Sequence, residues 1–189
     1  QRVRKYRVSM GFGLHCGWAI EGAIGSEFKI DASYLSPNVN VASRLGAATK
    51  QFGVWVLISH FMTSIASPEM AKLCRLIDHV TLQGSKQPIK LYTIDLDPLH
   101  LDIEAPPKGP VIRNKFKLRQ IREMMKTEKW SDDFKVCEAV AADEDIVSMR
   151  STYSTEFFQR FAMAYRNYEV GQWAVARDVL LTCHYTPRK

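Results

Sequence analysis

The sequence has little that would cross-link it, no cluster that would hold a structural metal, and no run long enough to span a bilayer. Its four cysteines, Cys16, Cys74, Cys137 and Cys183, stand about 50 residues apart with no CxxC pair. That spacing argues against both a zinc ribbon and a dense disulfide framework, and makes reduced intracellular thiols the default. His60, His79, His100 and His184 have no metal-ligand spacing either. No apolar run reaches the roughly 18 residues of a spanning helix. Gln1 opens no signal-peptide pattern, so the chain is expected to be either soluble or a piece of a longer protein. A strong charge of one sign is also missing. The net charge of +6 allows an anionic ligand but does not demand nucleic acid.

What is present suffices for a folded chain. Apolar residues make up 46% of the 189 and charged residues 24%, which supports a real core and excludes wholesale disorder. The charge is uneven. Arg2, Arg4, Lys5 and Arg7 crowd the N-terminus; residues 108–129 hold 8 basic and 2 acidic side chains, and residues 131–145 answer with 6 acidic and 1 basic. The basic stretch reads as a solvated helix face balanced by its acidic neighbour rather than as a lipid- or RNA-binding surface.

Asp95, Asp97, Pro98, Pro106, Pro107, Gly109 and Pro110 mark a boundary. It divides the chain into residues 1–97, a linker at 98–110, and a helical extension at 111–189. Before it the pattern is mixed α/β. Tyr6–Leu14 and Trp18–Ile24 read as strands joined in a hairpin through His15-Cys16-Gly17. Ser36-Pro37 suits a helix start, Val39, Ala42, Leu45, Ala48 and Phe52 recur at helical spacing, and Gly53 supplies the stop. Val54–Ser59 is a continuous apolar run of strand length, typical of a strand buried on both faces. His60–Cys74 reads as a helix that Pro68 interrupts, followed by strand, turn and strand over Arg75–Leu82, Gly84-Ser85 and Pro88–Asp95. After the linker, Val111–Trp130 is a basic helix. Residues 154–183 form a helical hairpin broken at Gly171, with Phe157, Phe158, Phe161, Ala164, Tyr165 and Tyr168 on one face. Its spacing resembles one tetratricopeptide-type unit, which cannot bury its face alone and must dock on the domain, a neighbouring repeat or a partner.

On the helix that begins at Pro37, Asn40 and Arg44 lie four residues apart and therefore on one face. An amide donor and a guanidinium near a helix N-terminus suit a phosphate. On physical grounds alone, an ordinary solvated Asn and Arg is the commoner case. The surrounding motifs add to this. Gly11–Gly17 (GFGLHCG), Gly22–Gly25 (GAIG), Val39–Leu45 (VNVASRL), Lys50–Val54 (KQFGV), Leu57–Ser59 (LIS) and the closing Gly84, Pro88, Leu91 and Tyr92 stand in one order. Together they resemble the C-terminal half of a class III adenylate/guanylate cyclase catalytic domain, over about residues 7–96. The variant SYLSPNVN is similar to that of cyclase domains in large protist proteins.

The resemblance implies an α/β, ferredoxin-like cyclase sandwich lacking its N-terminal half and followed by an all-α tail. It implies a nucleoside triphosphate substrate bound where two cyclase domains pair, as homo- or heterodimer, and Mg²⁺ or Mn²⁺ held by aspartates of the missing half, with no metal ligand in this chain. By motif position Asn40 positions the ribose, Arg44 stabilises charge on the α-phosphate, and Ser33, seven residues before Asn40, meets the base. Serine does not select between purines, and ATP is favoured over GTP. Asp31 reads as a loop residue, and His15 and Cys16 as packed turn residues. Ser36-Pro37 replaces the family's usual Gly-Asp.

Two functions stay open. One is an enzyme forming cyclic AMP or cyclic GMP, inactive as this chain alone. The other is a degenerate cyclase homology domain that serves as an interaction module, its helical tail docking a protein partner. Either belongs to an intracellular parent, membrane-anchored or part of a large cytoskeletal or ciliary assembly.

Overall fold

The computed structural model describes residues 10–83, 87–101 and 114–184. The N-terminal basic cluster, the first residues of the expected strand at Tyr6–Leu14, the turn at Gly84-Ser85 and most of the linker lie outside them. Contacts group the chain into two units: residues up to 96 together with those from 152 onward, and residues 97–151. Among the described residues no helix is long and apolar enough to cross a membrane.

The first unit is a mixed α/β structure. Its elements are β1 (Phe12–Leu14), β2 (Ile20–Ser26), β3 (Lys29–Leu35), α1 (Pro37–Phe52), β4 (Val56–Ser59), α2 (His60–Ile65), α3 (Pro68–Lys72), β5 (Arg75–Val80) and β6 (Ile89–Thr93). Four strands form one sheet in the order β1-β4-β6-β5, and β2 and β3 form a separate antiparallel ribbon. The expected hairpin of the first two strands is therefore not formed. Phe12 pairs instead with Val56 in a parallel register, and Ile20 pairs with Leu35. The reason lies in the glycines of the first strand. A Cβ at Gly11 would lie 1.9 Å from Thr49 Oγ1, and one at Gly13 would lie 2.3 Å from the Ala42 carbonyl oxygen. Those bare positions let α1 close onto β1, and β4 follows α1 back alongside it. Asp31 lies within β3, opposite Ile24, and its carboxylate forms an exposed ion pair with Lys29 at 3.0 Å, so the loop expected there is a strand.

Helix α1 begins and ends where its local chemistry dictates. Ser36 is its N-cap: the Oγ accepts from the Asn38 amide at 3.1 Å, and Pro37 needs no partner for a nitrogen it does not protonate. Gly53 ends it with φ 64, a left-handed conformation that glycine adopts without strain. The helix places Leu45 against Leu57, Ile89 and Leu91, with Val41, Ala48, Phe52 and Ile77 packed around them. This is the core, and β4 and β6 occupy the interior of the sheet, β4 buried along consecutive residues Leu57–Ser59 and β6 at alternate residues Ile89, Leu91 and Thr93. The helix expected at His60–Cys74 divides into α2 and α3 at Ser67-Pro68, where the Ser67 hydroxyl caps the second.

The second unit contains a 3-10 turn at Pro98–His100, the exposed basic helix α4 (Lys115–Lys129), α5 (Val136–Ala142) and α6 (Glu144–Arg150). Lys126 lies 4.3 Å from the ring centre of Trp130, a cation–π contact at the helix end. Within this unit the Asp97 amide donates to the Met149 carbonyl at 2.9 Å.

The chain then returns to the first unit as α7 (Thr155–Glu169) and α8 (Trp173–His184), the expected hairpin, with Gly171 at φ 79 in its turn. The hairpin docks on β5 through one cation. The Arg75 guanidinium lies 4.1 Å from the Phe161 ring centre, while its Nε donates to Asp95 Oδ2 at 2.7 Å. Asp95 is only 5% exposed, so the pair is buried and mutually neutralised.

Candidate functional site

Residues Ser33, Asn40 and Arg44 stand on two consecutive elements, β3 and α1. Ser33 is half-buried and pairs in register with Gly22, whose missing side chain leaves open space. Asn40 and Arg44 are exposed on one face of α1, a turn apart. Among the described residues neither side chain makes a hydrogen bond or an ion pair. The helix presents an amide and a guanidinium to solvent from a rigid capped base. Such a pair can receive an anion without first breaking an internal bond.

Beneath that face lies a polar network that sequence reasoning missed. Ser36 Oγ donates to the Trp18 carbonyl at 2.6 Å, and Asn38 Nδ2 donates to the same oxygen at 2.9 Å. With its amide nitrogen committed there, Asn38 turns Oδ1 toward the His15 ring, and His15 Nε2 donates to it at 3.1 Å. The other ring nitrogen, Nδ1, then faces the Ser59 hydroxyl at 2.8 Å and accepts from it when the ring is neutral. A Cβ at Gly17 would lie 2.3 Å from the Asn38 side chain, so the turn can come this close only without one. The result pins the first turn of α1 to the end of β4 and to the segment before β2. His15 is a packed polar strut, as its place in GLHCG suggests, but its partners are 23 and 44 residues away. The only local hint was the GLHCG turn itself.

Among the described residues no group of three or more His, Cys, Asp or Glu side chains is placed to hold a metal ion. Mg²⁺ or Mn²⁺ therefore has no fitting donor set among the described residues.

Two curated proteins match by sequence. An adenylate cyclase of Anabaena cylindrica is 37% identical over 90 residues, covering 47% of this chain and 18% of that protein. A terminal-differentiation specific adenylate cyclase of Dictyostelium discoideum is 31% identical over 88 residues, covering 46% of this chain and 4% of its own length. This chain carries part of a class III cyclase domain. It spans less than a fifth of the length of either of those relatives. Two structures of a bacterial light-regulated adenylyl cyclase are also similar. One is 30% identical with a TM-score of 0.36, covering 45% of this chain and 23% of its own. The other is 24% identical with a TM-score of 0.38, covering 60% and 28%. No family model matches the chain. The cyclase part is joined here to the α7–α8 hairpin, which packs on its β5 edge through Arg75.

Proposed function

We propose that this partial cyclase domain supplies the ribose- and phosphate-facing side of a nucleotide cyclase site, completed by a second cyclase domain. In this reading Asn40 positions the ribose, Ser33 meets the base, and Arg44 neutralises charge that grows on the α-phosphate as the 3′-oxygen attacks. The substrate is a nucleoside triphosphate, ATP ahead of GTP, and the product a cyclic nucleotide used in intracellular signalling. The observation that carries the reading is the placement of Asn40 and Arg44 one turn apart on an exposed, capped helix, in a chain homologous to adenylate cyclases. Phosphoryl chemistry of this kind depends on positioning and on charge stabilisation aimed at the transition state. A planar guanidinium contacts two phosphate oxygens at once, which a lysine cannot do. The Mg²⁺ or Mn²⁺ implied by the resemblance would supply charge neutralisation from ligands outside the described residues.

Cyclic-nucleotide formation by the full-length parent, assayed with Mn²⁺, tests the proposal. Arg44→Ala is expected to lower kcat by about a hundredfold or more with a smaller change in KM, and Arg44→Lys to restore little of it. An unchanged kcat in Arg44→Ala sinks the assigned role. This chain alone is expected to be inactive.

A second reading, a non-catalytic interaction module, draws support from the outer surface of the helical hairpin. Val170, Trp173 and Leu181 remain exposed there, a surface suited to a protein partner. Deleting residues 154–189 is expected to remove partner binding if that reading holds, and an unaffected assembly removes it.

A further inference from the structure

A cavity of about 680 Å³ opens between α2, α3 and the β5–β6 edge of the sheet, and its lining includes Lys72, Lys90, His60, His79 and Tyr92. No acidic side chain lines it among the described residues. The two lysines come from different walls, Lys72 from α3 and Lys90 from β6. His79 and Lys90 stand directly opposite each other in the antiparallel register. Both are nitrogen-bearing side chains, and no carboxylate lines the cavity beside them. The nearest acid in the strand, Asp78, already accepts from the His79 amide at 2.7 Å. His60 adds an unusual feature: its Nδ1 is buried and has no hydrogen-bond partner. Folded proteins rarely leave such an atom unsatisfied. Burial, followed by electrostatic effects of His15, His79 and Lys90, holds the His60 ring below its ordinary pKa. Thr63 and Ser64 donate their hydroxyls to the His60 and Phe61 carbonyls, so they leave oxygen lone pairs rather than free donors. The donors left for a ligand are cationic, imidazole and phenol groups.

We propose that this cavity binds a polyphosphate anion, at a site separate from Asn40 and Arg44 on α1. Two ammonium groups on different elements, with two imidazoles on the same lining, match a ligand carrying at least two negative charges and several oxygens in different directions. A single carboxylate would satisfy one wall only. The cavity is large enough for free pyrophosphate or for the phosphate tail of a nucleotide, and the chemistry recognised is the same in both. The proposal goes beyond the cyclase reading and does not depend on it.

The test is calorimetric titration of the 189-residue chain with pyrophosphate at 0.15 M salt, repeated with ATP and with AMP. Saturable pyrophosphate binding is expected, weakened by about tenfold or more in the Lys72→Gln/Lys90→Gln double variant. Arg44→Ala is expected to leave it unchanged. Both lysines are exposed, and an unaltered circular-dichroism melt confirms that the double variant folds. Equal affinity for pyrophosphate and ATP, with none for AMP, assigns the free polyphosphate group as the recognised element. Tighter binding of ATP that still depends on both lysines assigns a nucleotide tail. Absence of saturable binding, or binding lost in Arg44→Ala and retained in the double variant, overturns the proposal. Equal loss in both variants also overturns it, because the site would then not be separate. Failure of Arg44→Ala to alter cyclase turnover bears only on the α1 reading.

Discussion

Two pieces of β structure in this chain have similar composition and opposite fates. In the four-stranded sheet, Leu57 and Leu91 are 0% exposed. In the β2–β3 ribbon no residue is buried; Ile30 is 69% exposed, and Phe28 at the turn 97%. The ribbon is no poorer in strand formers, with Ile20, Ile24, Ile30, Tyr34 and Leu35 along its two strands. What differs is the neighbour. The sheet has α1 laid across it, while among the described residues no helix covers the ribbon, and a two-stranded ribbon is marginal in water without a covered face. A strand's apolar residues thus report its capacity to be buried, and the tertiary partner decides whether that capacity is used. The ribbon's exposed face fits the proposed pairing with a second cyclase domain.

The contrast can be broken or sharpened by substitution, with stability read from urea unfolding of the chain. The largest effect is expected at the buried ion pair: Asp95→Ala strands Arg75 without its partner and should cost about 3–5 kcal/mol. Leu57→Ala opens a cavity in the sheet core and should cost about 2–5 kcal/mol. Tyr165 offers a pH-dependent measure on the hairpin. Burial first, and the negative charge of Glu169 next, push its phenol up to about 12 from 10.0. The neutral phenol is the form the fold favours, so its contribution is complete below pH 10 and is lost as pH rises from 10 to 12. Phenolate absorbance that develops at an ordinary pH would remove this assignment. Ser36→Ala removes both bonds of the Ser36 hydroxyl, the cap to the Asn38 amide and the bond to the Trp18 carbonyl, and should cost about 1 kcal/mol. The smallest effect is expected in the ribbon, where Ile30→Ala should change stability by no more than about 0.5 kcal/mol. A cost at Ile30 matching that at Leu57 would mean that the ribbon is covered in solution, and the comparison would fail.

Local signals in the sequence were read well where they needed no distant partner. Ser36-Pro37 and Gly53 bound α1 because a cap, a pre-set φ and a left-handed stop act within a few residues. Gly171 ended α7 for the same reason. The continuous apolar run at Val54–Ser59 became an interior strand. Strand pairing was less legible. The expected β1–β2 hairpin failed because β1 found β4, more than 40 residues on, across a helix that Gly11 and Gly13 admit. Half of the candidate site was visible as the Asn40–Arg44 spacing, which any α1 helix would place on one face. The strut beneath it was not visible, since no local pattern links His15 to Asn38 and Ser59.

The sequence by itself determined α1 with its cap and stop, the basic helix α4, the α7–α8 hairpin and the apolar strand β4, because these follow from short-range sterics, backbone hydrogen bonding and periodicity. Only the tertiary structure decided which strands pair, which apolar face is covered, and that Arg75 holds the C-terminal hairpin to the sheet through Asp95 and Phe161. Those outcomes depend on contacts between residues far apart in the chain. Their energies come from excluding water between surfaces that fit each other, and no single segment encodes that fit.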